Sequence, residues 1–326
     1  MEWQSDILGP GFESCAFEAA GPDGVRRRAT LVRFTRPAGP DTPDLRSAGP
    51  RRAVLFLHGW SDYFFNIELA RFWDAQGFEF FALDMHNHGR SLQPGTHGGY
   101  VADLENYDAE IGTAAGMVAE SGGAGPVQLA LMGHSTGGLV AALWASRNPG
   151  AVSQLVLNSP WLEMHGSALV RRAAWTMVEP IARLRPEAVL RLPERGFYWR
   201  SISSSAEGEW TLDAAYRPPL AFPVRAAWLS AILAGQAKVA RGLGIGVPVL
   251  VLLSAASENG MVWNEAMRRT DAVLDVNTIA ARAMSLGRSV TVERIDGALH
   301  DVFLSRADVR SDAYRRLAQW IRGYAA

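Results

Sequence analysis

Residues 133–138 read Gly-His-Ser-Thr-Gly-Gly (GHSTGG) and lie between two apolar runs, VQLALM (127–132) and LVAALWA (139–145). The first run has the length and composition of a buried strand, and the second continues with helical character to Pro149. Three glycines at a strand-to-helix junction remove side chains where a tight turn crowds neighbouring backbone. A serine at the apex of such a turn has its hydroxyl held out, and the helix behind it points an N-terminus that favours developing negative charge. A Gly-x-Ser-x-Gly pattern alone also fits a glycine-rich structural or anion-binding turn. The strand, turn and helix around Ser135 favour the nucleophile.

A serine hydroxyl is a poor nucleophile at neutral pH and needs a base, which in turn needs an orienting group. His300, in IDGALHDVFLS (295–305), follows the last predicted strand and is the candidate base. His134 adjoins Ser135 and cannot swing back to it. His58, at an earlier strand end, suits a structural hydrogen bond. His86, His88 and His97 cluster after FALD without the H-E-x-x-H spacing or acidic partners of a metal site. His165 falls in or beside an insertion. Asp271 and Asp275, the two ends of DAVLD, are the candidate orienting acids, and either also suits a helix cap.

Outward from the turn, strands and helices alternate. CAFEAA and RRATLVRF flank GPDG and predict an antiparallel hairpin. The stretch 37–50 reads as a loop. AVLFLHG, FEFFALD, VQLALM, VSQLVLN, VPVLVLL and SVTVERI read as strands. DYFFNIELARFWDAQG, DLENYDAEIGTAAGMVAE with Asp103 as N-cap, TGGLVAALWASRNP and DAYRRLAQWIRGY read as helices. This rhythm predicts an α/β fold with a mostly parallel sheet covered on both faces. It breaks between Leu162 and Gly246, a stretch rich in Arg, Trp and Pro with short helical patches. The expected organisation is a core of 1–161 and 247–326 with a helical cap at 162–246.

The chain has 326 residues and a formal net charge of -1, so no global field draws it to nucleic acid or an anionic membrane. Cys15 is the single cysteine, which excludes an internal disulfide and fits a reducing compartment. The N-terminus has no basic-then-apolar leader pattern. The longest apolar stretch, Gly242 to Ala256, is broken by glycines and Pro248 and is too short to cross a bilayer. The expectation is a cytoplasmic protein with a small-molecule ester substrate, no cofactor, no metal, no nucleic-acid partner and no stable membrane insertion; oligomeric state is left open.

FLHGW (56–60), LDMHNHGRS (83–91), MGHSTGG (132–138), TDAVLDV (270–276) and GALHD (297–301) together resemble the α/β-hydrolase family, most closely its monoacylglycerol lipase and lysophospholipase branch, grouped with serine aminopeptidase-like hydrolases. The likeness covers the chain outside the insertion, and the order Ser, Asp, His matches. It implies Ser135 as nucleophile, Asp271 rather than Asp275 as acid, and His300 as base. It also implies an oxyanion hole from the backbone N–H groups of Trp60 and Thr136. Two departures stand out. Relatives commonly read H-G-x-G-E-H where this chain reads HGWSDY, so a bulky Trp60 narrows the acyl side unless its ring turns away. SAASENGMVWNEAMRR (254–269) also separates the acid from its strand by more than is usual.

The segment between the strands VSQLVLN and VPVLVLL carries Trp161, Trp175, Trp199, Trp210 and Trp228 with Phe197, Tyr198, Tyr216 and Phe222. At least one of these is expected to line an apolar acyl or aromatic pocket, while others join cap to sheet. The reading is a serine esterase or lipase-like hydrolase. Thioesterase, amidase or peptidase, and acyltransferase chemistry share the same residues. A non-catalytic binding protein on this scaffold is the alternative of another class. Dehalogenase and epoxide hydrolase chemistry is disfavoured because those relatives place an aspartate at position 135.

Overall fold

A computed structural model describes residues 2–36, 50–122, 125–164, 168–191 and 195–324. Residues 37–49 of the predicted loop at 37–50, and His165, lie outside the described residues. The chain begins with β1 (Gln4–Ser5), too short to leave a sequence pattern, then the predicted hairpin β2 (Phe12–Ala20) and β3 (Arg26–Phe34). There follow β4 (Arg51–Leu57), α1 (Ile67–Ala75), β5 (Glu79–Asp84), α2 (Asp108–Ser121), β6 (Val127–His134), α3 (Thr136–Arg147) and β7 (Gln154–Asn158). The segment before the next strand holds α4 (Ala168–Leu184), α5 (Phe197–Ile202) and α6 (Ala226–Ala240). The chain closes with β8 (Val249–Ser254), α7 (Val276–Ala283), β9 (Val290–Ile295) and α8 (Ala307–Tyr324).

These nine strands form one sheet in the order β1-β2-β3-β5-β4-β6-β7-β8-β9. β1 to β3 and the β3–β5 pair are antiparallel, and every pair from β5 to β9 is parallel. Alternate side chains feed the two faces. Leu129 and Leu131 of β6 pack beneath α2, α3, α6 and α7, whereas Ala130 and Met132 face α1 and α8. Leu131 is fully buried, so truncating it to Ala removes about 2–5 kcal/mol of stability. Buried Trp228, Leu229, Ile232 and Val239 of α6 pack into the same cluster as α2 and α3, so this helix of the inserted segment shares the core of the sheet.

Two helix starts differ from their predicted places. The spacing predicts a helix from Asp62, but α1 begins at Ile67 because the Asn66 side chain accepts from Leu69 N at 3.0 Å and caps it there. Asp62 to Phe65 run instead as a loop whose Tyr63 and Phe64 N–H groups donate to the carboxylates of Asp62 and Asp84. Asp103 caps a short 3-10 helix (Leu104–Tyr107), and α2 proper starts at Asp108. Among the described residues, no helix is long and apolar enough to cross a membrane.

Candidate active site

The chain leaves β4 through α1 to β5 on one side, while β6 pairs with the other side of β4, so the strand order reverses between β4 and β6. Such a switch point opens a crevice at the carboxyl ends of the strands. Ser135 stands at the end of β6 and Gly59 just past β4, with Leu57 paired to Gly133. The glycines of GHSTGG are explained by crowding. A Cβ on Gly137 would lie 2.2 Å from His58 O and 2.6 Å from Leu57 O, and one on Gly133 would lie 2.5 Å from Gly137 O. A Cβ on Gly59 would come 3.3 Å from Ser135 Cβ, so the backbone after β4 passes directly beside the serine.

Ser135 adopts φ 53°, ψ −116°, a conformation that non-glycine residues rarely hold. Its surroundings fix it there. Ser135 N donates to Asn158 O at 3.0 Å, and Ser135 O accepts from Gly138 N, Leu139 N and Trp161 N at 3.0, 3.2 and 2.9 Å. Thr136 opens α3, where the N–H groups have no intrahelical acceptor.

His300 follows β9 and turns back over the strand ends. Its Nε2 lies 3.0 Å from Ser135 Oγ and its Nδ1 2.9 Å from Asp271 Oδ2. All three residues are buried, Asp271 completely. The second carboxylate oxygen of Asp271 accepts from Val273 N and Leu274 N, both at 2.8 Å. The long segment between β8 and this acid folds back on itself. Asp271 N donates to Ala256 O, and Glu258 N donates to Asp271 O, each at 2.9 Å. Asp271 therefore sits beside the end of β8 despite its distance along the chain. Asp275 is elsewhere, capping α7 through Asn277 N and Thr278 N at 2.9 and 3.2 Å. Ser135, Asp271 and His300 thus meet in one hydrogen-bonded line, with Thr136 next to Ser135 on the chain and Trp60 next to Gly59, whose backbone passes the serine.

A family model described as "Serine aminopeptidase, S33" matches residues 48–306. The chain belongs to this S33 family. A monoacylglycerol lipase of Mycolicibacterium smegmatis is 29% identical over 161 residues, which is 47% of this chain and 55% of that relative, so the match spans about half the length of each. Two solved structures share the fold. A carboxyl esterase from Bacillus coagulans superposes with a TM-score of 0.65 at 14% identity, covering 97% of this chain and 99% of that one. A monoacylglycerol lipase of Paleococcus ferrophilus superposes at 0.58 and 18%, covering 83% and 94%. The architecture is the α/β-hydrolase fold expected from the sequence.

His58, His86, His88 and His97 make contacts within the scaffold of this S33 chain. His58 Nε2 accepts from Met85 N at 3.1 Å, and the His58 and His88 rings pack at 4.7 Å, tilted by 48°. His86 pairs with the buried carboxylate of Glu110, while His97 lies 3.3 Å from Glu187. Among the described residues, no group of three or more His, Cys, Asp or Glu side chains is arranged to hold a metal.

The sequence reading missed a second buried polar group beside the site. Arg217, from the inserted segment, donates to Asp62 Oδ1 at 2.6 Å, with both side chains buried. The Tyr198 ring meets the His300 ring edge-on at 5.2 Å, with Arg217 5.2 Å from the Tyr198 ring centre. Asp301 accepts from Asn158 Nδ2 at 2.6 Å and from Phe303 N at 3.0 Å. Burial pushes the Asp301 carboxyl up to about 6. Burial, then the neighbouring His300, Arg217 and His58, hold His134 well below the usual histidine range, so it is neutral. No motif marks Asp62 or Arg217. The available signal was an acidic residue followed by three aromatics in the loop after β4.

Proposed function

We propose that the protein is a serine hydrolase of carboxylic esters with apolar acyl or aromatic groups, working through an acyl-enzyme. The observation that carries this is the Asp271–His300–Ser135 line of hydrogen bonds at 2.9 and 3.0 Å, set at the switch point of the sheet. Ser135 Oγ attacks the ester carbonyl carbon as His300 Nε2 takes its proton. Asp271 holds the imidazole through Nδ1 and stabilises the imidazolium. The carbonyl oxygen, now an anion, accepts from the N–H groups of Trp60 and Thr136. The bond to the alcohol oxygen breaks, and His300 gives its proton to the leaving alcohol. Water then adds to the acyl-enzyme, its proton going to His300, and the acid leaves as that proton returns to Ser135.

The apolar preference rests on the aromatic residues around this line. The Trp60 and Trp228 rings lie 4.6 Å apart, Trp161 N donates to Ser135 O, and Tyr198 lies against His300. Residues 162–246 act as a helical cap over the site. Each methylene buried there contributes about 0.8 kcal/mol, nearly fourfold in binding. The names of the lipase and esterase relatives accord with this reading. The family's aminopeptidase description makes an amide bond the competing substrate.

The test is a substrate panel graded by acyl length, with matched esters, thioesters and anilides, on wild type and Ser135→Ala. Ester turnover that rises with acyl size and falls at least ~10³-fold in Ser135→Ala is expected. Faster anilide turnover would transfer the assignment to amides. Near-wild-type ester turnover in folded Ser135→Ala would end the serine mechanism.

A further inference from the structure

Four consecutive residues after β4, Trp60 to Tyr63, are each held by a different residue of the inserted segment. The Trp60 ring packs on Trp228 at 4.6 Å. Ser61 Oγ accepts from Phe222 N at 3.0 Å. Asp62 Oδ1 accepts from Arg217 Nη1 at 2.6 Å, and Tyr63 Oη accepts from Asp213 N at 3.1 Å. The end of β5 and the turn after it grip the same loop one residue later, where Phe64 N donates to Asp84 Oδ1 at 2.9 Å and Phe64 O accepts from Arg90 at 3.1 Å. Between those anchors, Ser61 holds φ +54°, in the left-handed region that a serine keeps only when its surroundings over-determine it. The ties from residues 213–222 are part of those surroundings.

Arg217 is central to them. It is 6% exposed, and its guanidinium lies 5.7 Å from the Phe65 ring centre and 5.2 Å from that of Tyr198, which meets His300. It therefore bridges the loop carrying Trp60 and the aromatic wall of the histidine. A buried ion pair adds little net stability over an apolar pair of the same shape, yet it fixes geometry, because loss of one partner strands a charge.

Resting on the proposed function, we infer that Arg217 is a positioning residue for the Trp60 N–H. By pairing with Asp62 it holds residues 60–63 in the conformation that aims this donor at the oxygen gaining charge above Ser135. The inserted segment then sets the geometry of the oxyanion site as well as covering it. The competing reading makes Arg217 ordinary glue between segment and sheet. Lys238 is such glue, pairing α6 with Glu105 at 2.6 Å without touching the loop.

The experiment compares full-length wild type, Arg217→Met, Arg217→Lys, Ser61→Ala and Lys238→Met. Each is read by kcat, KM, melting temperature and the inhibition constant of a trifluoromethyl ketone, which binds as a tetrahedral oxyanion. Arg217→Met should lower kcat and ketone affinity together by about 10–10²-fold, as a displaced oxyanion donor does, with KM little changed. Arg217→Lys, which keeps a cation on Asp62, should recover part of the loss. Ser61→Ala should move the same two quantities in the same direction, and Lys238→Met should move neither. A folded Arg217→Met with wild-type kcat and ketone affinity overturns the inference, whatever its melting temperature. Should Arg217→Met fail to fold, Ser61→Ala decides by the same criterion. Wild type that neither hydrolyses esters nor binds the ketone overturns the proposed function and this inference with it. Wild-type turnover with unaffected Arg217→Met and Ser61→Ala overturns the inference alone.

Discussion

Replacing Asp271 by Asn keeps the shape of the buried acid and changes its hydrogen-bond polarity. One carboxylate oxygen accepts from Val273 N and Leu274 N, and Asn Oδ1 can take over both bonds. The other oxygen accepts from His300 Nδ1 at 2.9 Å, and there the variant presents an NH₂ donor. His300 must then turn its lone pair to Nδ1, which leaves the proton on Nε2, 3.0 Å from Ser135 Oγ. The imidazole faces the serine as a donor and cannot take its proton. Losing both the tautomer and the counter-charge lowers kcat about 10⁴-fold, or roughly 5.5 kcal/mol of barrier. Asp275→Asn makes the matching control, because Asn caps a helix as well as Asp and the α7 bonds persist, leaving stability within about 0.5 kcal/mol and turnover unchanged. Initial rates on a chromogenic ester, with thermal unfolding measured in parallel, separate chemistry from folding. Asp271→Asn within tenfold of wild type, or a crippled Asp275→Asn, would refute the assignment.

Two further outcomes follow from the geometry. Gly137→Ala places a Cβ 2.2 Å from His58 O, and backbone cannot yield as a flexible side chain can, so melting should fall by the equivalent of about 1–3 kcal/mol or more, with turnover falling too; wild-type values for both would contradict the contact. Asp301 carries a folded-state pKa raised from 3.8 to about 6, so the folded form binds this proton more tightly than the unfolded chain. Its contribution is therefore most favourable below about pH 4 and is lost as pH rises to about 6, a change of roughly 3 kcal/mol. Asp301→Asn removes this titration, and its stability relative to wild type should climb across that window and then level off in denaturant unfolding; a flat difference would mean that Asp301 ionises normally.

GHSTGG was readable because its chemistry is local, with strand, turn and helix contiguous; Gly133 and Gly137 answer backbone contacts within that unit or at the end of β4, while the crowding of Gly138 by Pro160 is a tertiary contact. The strand alternation was readable for the same reason, since burial on two faces imprints itself on every strand. The meeting of Ser135 with His300 and Asp271 was legible through chain order and resemblance, while the way Asp271 returns was not. That return depends on backbone bonds to Ala256 and Glu258, which carry no side-chain signature. The start of α1 was misjudged because Tyr63, Phe64 and Phe65 fit a helical apolar stripe, yet Asn66 caps behind them and Asp84 claims the Phe64 N–H. The Arg217–Asp62 pair spans 155 residues and was hidden among the many arginines of the inserted segment. Only tertiary packing singles it out.

The central claim, that Ser135 is a nucleophile activated by His300, is tested most directly by treating the native protein with a fluorophosphonate probe and locating the adduct by intact mass and peptide mapping. The account predicts one phosphonyl group per chain, on Ser135, with labelling abolished in Ser135→Ala and strongly slowed in His300→Ala. A folded wild-type protein that stays unlabelled, or one labelled at another residue while Ser135 remains free, would contradict it.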